Sequence, residues 1–233
     1  FPMLCERTLV QSIPALVWGR PSRRVYIYGH GKCGKKEEAE AFAGIAQRHG
    51  FQVISFDLPQ HGERVGEEYP CTVWNGMGDF GRIADYSHRS WEELSFFGCS
   101  LGAYFGLMSF QNVGFRKCLF YSPLVDMERM IIDMLKALDL SEYDLFLRQE
   151  IPTPFGETLS WPYFEYVRKH PIGSWKHKTS ILCGSNDAVV ARETLAIFCD
   201  KYQCGLTVVE GAGHYFQDPE HLQILNAWIE REI

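Results

Sequence analysis

The sequence predicts an α/β protein with a mostly parallel sheet and helices on both faces. Short β-branched or aromatic runs alternate with helix-period segments from about residue 23 onward, and the runs are nearly continuous in apolar residues, as strands covered on both sides are. The 233 residues, 46% hydrophobic and 22% charged, supply one sizeable core and exclude disordered, collagen-like and coiled-coil classes.

Residues 5–18 supply one or two edge strands around the breaker Pro14. Strand-like runs follow at 24–28, 52–56, 94–97, 117–121, 180–183 and 206–209. Ala39, Phe42, Ala43 and Ala46 have the spacing of one helix face and stop before Gly50; Leu195, Phe198, Cys199 and Tyr202 repeat it ahead of Gly205. Asp218-Pro219 opens a last helix that buries Leu222, Leu225 and Ile229. The chain reads as one domain over 1–233, interrupted by a small cap insertion at 124–177. In that insertion Met127, Met130, Ile131, Met134, Leu135 and Leu138 form a helical apolar stripe, followed by Phe155, Trp161, Tyr163, Phe164 and Tyr166 among four prolines.

Twenty-three basic against 29 acidic residues give a formal charge of -6, which argues against nucleic acid as a partner. No run approaches the roughly 18 apolar residues of a membrane helix. Eight cysteines without a C-x-x-C pair read as free thiols in a reducing, cytoplasmic setting; a secretion signal removed before position 1 would leave no trace here. The sequence carries no H-E-x-x-H or EF-hand spacing and no dinucleotide fingerprint, so it implies no metal or organic cofactor. Oligomeric state stays open.

Gly98-Cys99-Ser100-Leu101-Gly102 stands directly after the 94–97 run and before a helix-compatible stretch. G-x-S-x-G between strand and helix is a nucleophile elbow: a turn so sharp that the serine is strained and its hydroxyl is exposed at the top of the sheet. Cys99 beside it reads as a small apolar core residue. The other pieces occur in a fixed order. His30-Gly31 follows the first parallel strand, Asp57, His61 and Gly62 follow the next, and after the elbow come Asp187 in G-S-N-D and His214 in G-A-G-H.

In these motifs, from about residue 23 to the end, the chain resembles the α/β-hydrolase fold family, in which nucleophile, acid and histidine follow in that order. The resemblance implies Ser100 as nucleophile, Asp187 as acid and His214 as base. A serine hydroxyl needs a base to take its proton; imidazole titrates near neutrality, and a carboxylate on its other nitrogen fixes the tautomer. Asp126, after the 117–121 strand, is a second position for the acid, although it also suits the N-cap of the Met-rich helix. The backbone N–H groups of Lys32 and Leu101 are the expected oxyanion donors. His30 and His61 read as loop-holding residues, and the Lys32, Lys35, Lys36 group as a solvated helix start.

The implied function is a serine carboxylesterase acting on small to medium acyl esters through an acyl-enzyme. Met127, Met130, Met134, Trp161 and Phe164 are candidate pocket residues from an insertion expected above the nucleophile. A thioesterase or small acylaminopeptidase would use the same triad, and a non-catalytic binding protein could keep the fold. Serine rather than aspartate at the elbow argues against a haloalkane dehalogenase.

Overall fold

The computed structural model describes residues 3–154 and 156–233, so Phe155 and the Phe1-Pro2 start lie outside the described residues. Among the described residues there are ten strands: β1 (Cys5–Val10), β2 (Ile13–Trp18), β3 (Arg24–Gly29), β4 (Gln52–Phe56), β5 (Glu93–Cys99), β6 (Phe115–Tyr121), β7 (Glu150–Pro152), β8 (Thr158–Ser160), β9 (Thr179–Gly184) and β10 (Gly205–Val209). The α-helices are α1 (Ala39–Arg48), α2 (Val73–Ser90), α3 (Ser100–Ser109), α4 (Met127–Ala137), α5 (Glu142–Arg148), α6 (Trp161–Lys169), α7 (Arg192–Tyr202) and α8 (Pro219–Glu232). They form two compact units, one of Asp126–Gly173 and one of the remainder.

The larger unit holds an eight-stranded sheet in the order β1-β2-β4-β3-β5-β6-β9-β10. The β1–β2 and β2–β4 pairs are antiparallel and the others parallel. Of the two N-terminal strands only β1 is an edge; β2 is flanked on both sides, with Pro14 inside it. Proline is tolerated there because the ladder to β4 begins one residue later, at Ala15 opposite Phe56, while the Pro14 carbonyl accepts the Asp57 N–H at 3.1 Å.

Alternating side chains separate the two faces of the sheet. On one face Tyr26 and Phe97 meet Phe42 of α1, with ring centroids 5.2 and 4.1 Å apart, and Trp228 and Ile229 of α8 join the same cluster. On the other, Phe96 meets Phe80 of α2 at 6.0 Å and Phe110, at the end of α3, at 5.1 Å. Each such buried ring contributes about 2–3 kcal/mol by leaving water. Helices thus cover both faces.

Some boundaries differ from the sequence reading. The α7 helix ends at Gln203 in the left-handed conformation (φ 56°), ahead of Gly205. Leu222, expected inside, is exposed, because only the later turns of α8, from Leu225 onward, reach the core. Residues 73–90, with no predicted helix, form the long α2.

The smaller unit contains α4, α5, α6 and the β7–β8 hairpin. Ser141 and Asp144 make a reciprocal capping box at α5, and Asp126 caps α4 by accepting the Arg129 N–H at 2.9 Å. Met127, Ile131 and Leu135 are buried at four-residue spacing. Met130 and Met134 are half-buried, and Trp161 packs on the buried Phe164 with centroids 5.7 Å apart. No helix among the described residues is long and apolar enough to cross a membrane.

Candidate active site

Parallel strands all end on one side of the sheet, and the loops leaving those ends carry the candidate residues. Strand β5 lies between β3 and β6, with Gly29 opposite Gly98 and Cys99 opposite Tyr121. The loop after β3 therefore begins beside the serine that follows β5.

Ser100 has φ 45°, a left-handed backbone unusual for a side-chain-bearing residue. The strain is held by close packing on both sides. A β-carbon at Gly102 would stand 2.3 Å from the His30 carbonyl oxygen, and one at Gly98 would stand 2.8 Å from Ala103 Cα. Both positions admit only glycine, so the strand can turn into α3 within one residue. Cys99 is buried, as expected, and burial pushes its thiol up to about 12.

The structure brings Ser100, His214 and Asp187 together. His214 Nε2 lies 2.9 Å from Ser100 Oγ, and its Nδ1 lies 2.8 Å from Asp187 Oδ2. A neutral ring with its proton on Nδ1 satisfies both contacts: the Ser100 hydroxyl donates to Nε2 and Nδ1–H donates to the carboxylate. Asp187 Oδ1 accepts the N–H groups of Val189 and Val190 at 2.8 and 3.0 Å. Burial alone would raise the Asp187 carboxyl, but these hydrogen bonds, led by that from His214, hold it below its ordinary range. Asp187 and His214 come from adjacent loops that are latched together. Ser185 N–H donates to the Val209 carbonyl, Asn186 N–H to the Ala212 carbonyl, and Gly211 N–H to Ser185 Oγ, at 2.9–3.0 Å.

Leu101 stands in the first turn of α3, where backbone N–H groups lack intrahelical acceptors, and Lys32 follows Gly31 in the loop after β3. That loop is anchored from β4. His30 is fully buried; its Nδ1 lies 2.7 Å from the Gly31 carbonyl and its Nε2 accepts the Leu58 N–H at 3.1 Å. Burial, only partly offset by the Gly31 contact, lowers the imidazole to about 4. The His61 ring lies tilted at 54° beside it, with centroids 5.4 Å apart, and its Nδ1 bonds the Pro59 carbonyl, consistent with a loop-holding role.

Sequence reasoning missed a second anchor. Lys36, read as solvated, is buried: its Nζ meets Asp57 at 2.8 Å, Glu63 at 2.6 Å and Glu37 at 3.0 Å. Asp57, also buried, accepts the backbone N–H groups of Lys36 and Glu63 as well. Burial acts to lower the Lys36 ammonium, but its three carboxylate partners outweigh that and raise it. The signal available was Asp57 itself, an acidic residue at the end of a buried strand.

Asp126 is engaged as the α4 cap, and it belongs with Met127, Met130, Met134, Trp161 and Phe164 to the smaller unit, whereas Ser100, Asp187, His214, Lys32 and Leu101 belong to the larger. Among the described residues no group of three or more His, Cys, Asp or Glu side chains could hold a metal ion.

No protein-family model and no curated protein sequence matches this chain. Solved structures do. Est1E from Butyrivibrio proteoclasticus, solved with ferulic acid bound, is 17% identical with a TM-score of 0.78 over 97% of this chain and 96% of that one. Alpha/beta hydrolase domain-containing protein 10 from mouse is 15% identical with a TM-score of 0.76, over 99% and 98% of the two chains. The Pyrococcus furiosus esterase PF2001 is 17% identical with a TM-score of 0.71, over 99% and 90%. At these identities the likeness is one of fold, and the chain has the α/β-hydrolase fold.

Proposed function

We propose that this α/β-hydrolase-fold chain is a serine hydrolase, a carboxylesterase cleaving small to medium acyl esters through an acyl-enzyme. The observation that carries the reading is the Ser100–His214–Asp187 relay, with contacts of 2.9 and 2.8 Å, at a strained elbow. Ser100 Oγ attacks the ester carbonyl carbon while His214 Nε2 takes the hydroxyl proton. The carbonyl π electrons move to oxygen, and the backbone N–H groups of Leu101 and Lys32 receive that charge. As the adduct collapses, the alcohol leaves with the proton from His214. Water then attacks the acyl-serine by the same route and releases the acid. Asp187, kept ionised, stabilises the imidazolium in both halves. Est1E with ferulic acid bound and the Pyrococcus esterase support an ester substrate by analogy of fold.

Labelling by a fluorophosphonate probe tests the nucleophile. Wild type should label and Ser100→Ala should not, followed by hydrolysis assays across esters and thioesters of graded acyl length. A folded wild type that does not label refutes the reading.

A further inference from the structure

Tyr215 follows His214 directly, and its ring meets the histidine edge to face, with centroids 4.6 Å apart at 81°. The same side chain borders the loop after β3. The point a β-carbon would occupy on Gly31 lies 3.5 Å from Tyr215 Cε1, 3.5 Å from Ser100 Cβ and 3.3 Å from Cys99 Sγ. The ring therefore stands where Ser100, His214 and the expected oxyanion loop converge. Burial raises the phenol to about 12, so it keeps its proton at neutral pH.

Ser100 Oγ already donates its one hydrogen to His214, so a hydroxyl that approaches it from the Tyr215 ring can act only as a donor to an oxygen lone pair. When Oγ is acylated its electron density falls, and the best acceptor nearby becomes the oxyanion bonded to the same tetrahedral carbon. A short swing of the O–H carries the donor there. Catalytic hydrogen bonds are commonly loose before substrate arrives and tighten in the transition state.

We propose, resting on the serine-hydrolase reading, that the Tyr215 hydroxyl is a further catalytic group: a side-chain donor to the oxyanion beside the two backbone N–H groups. It donates without transferring its proton, which distinguishes it from His214. Because it sits one residue after the base, the donor and the base are positioned by one loop.

Tyr215→Phe removes the oxygen and leaves the ring against His214 and Gly31. With a p-nitrophenyl ester, kcat should fall about 10²-fold, the lower range for loss of one oxyanion donor, with KM within threefold of wild type. Affinity for benzeneboronic acid, which forms a tetrahedral anionic adduct on serine, should weaken in parallel. Tyr215→Leu separates packing from donation. If Phe matches wild type and only Leu loses activity, or if Phe raises KM at constant kcat, the donor role is overturned while the hydrolase reading stands. A wild type without Ser100-dependent labelling overturns both.

Discussion

Acidification tests the burial of His30. Both ring nitrogens are committed in the neutral form: Nδ1–H donates to the Gly31 carbonyl at 2.7 Å and Nε2 accepts the Leu58 N–H at 3.1 Å. A second proton would place two N–H groups against each other in a site without solvent. The folded state accordingly holds the imidazole near 4, against an ordinary value of 6.5. Above pH 6.5 the ring is neutral folded and unfolded, and its stabilising contribution is fully present. As pH falls through that value the unfolded chain takes up a proton that the folded chain refuses, and stability drops by about 1.4 kcal/mol per pH unit until the folded ring titrates. Over the whole window the loss is on the order of 3 kcal/mol, a large share of a typical 5–15 kcal/mol total. The assay is urea unfolding of wild type and His30→Asn at pH 7.5, 6, 5 and 4.5. Asparagine keeps a donor for Gly31 but cannot titrate. It should be less stable at pH 7.5 by about 1–3 kcal/mol through the lost Leu58 bond, and the gap should close steadily on acidification. Other carboxylates contribute equally to both proteins. Parallel stability curves, with a gap independent of pH, would refute the reasoning.

Three further outcomes are expected. Asp187→Asn should lower kcat by roughly 10⁴-fold, by analogy with the loss of a triad carboxylate, whereas Asp126→Asn, which preserves a good N-cap, should leave it nearly unchanged; steady-state kinetics of the two would show the reverse if the acid were Asp126. Lys36→Met should cost about 3–5 kcal/mol in urea unfolding, since it strands the buried Asp57 carboxylate; a loss below about 1 kcal/mol would mean that water reaches Asp57. Since a serine hydroxyl needs a base to take its proton, His214→Ala should lower kcat by several orders of magnitude, and an unchanged kcat would count against His214 as the base.

The central strands are legible in the sequence because both faces are covered, so that runs such as 118–120 are apolar without a break. The α2 helix is not. Its span contains Gly76, Gly78 and Gly81, which depress helix propensity, and the reason for the first lies elsewhere in the chain: a β-carbon at Gly76 would enter the Phe105 ring at 2.4 Å. Lys36 is hidden for the same kind of reason. Its neighbours Lys35, Glu37 and Glu38 look solvated, and its partner Asp57 is 21 residues away. Ser100, Asp187 and His214 are visible through local turn motifs and chain order, although their distances are not. The latch between the loops after β9 and β10 is made largely of backbone groups and leaves little mark on residue identity. Tyr215 stands beside a conspicuous histidine, yet only its place against the Gly31 loop separates it from an ordinary loop aromatic.

The β10 strand pairs only with β9, so His214 leaves from the outermost strand of the sheet, while Ser100 leaves from its centre. Peripheral strands open with smaller free energies than central ones. The latch to the Asp187 loop makes Asp187 and His214 travel as a single cooperative segment, and an excursion of that edge withdraws both from Ser100 while the central ladders remain closed. The Ser100–His214–Asp187 arrangement therefore has its own, lower free energy of loss than the fold. Amide exchange at Ser185, Asn186 and Gly211 should report that quantity, ahead of exchange in β3 and β5.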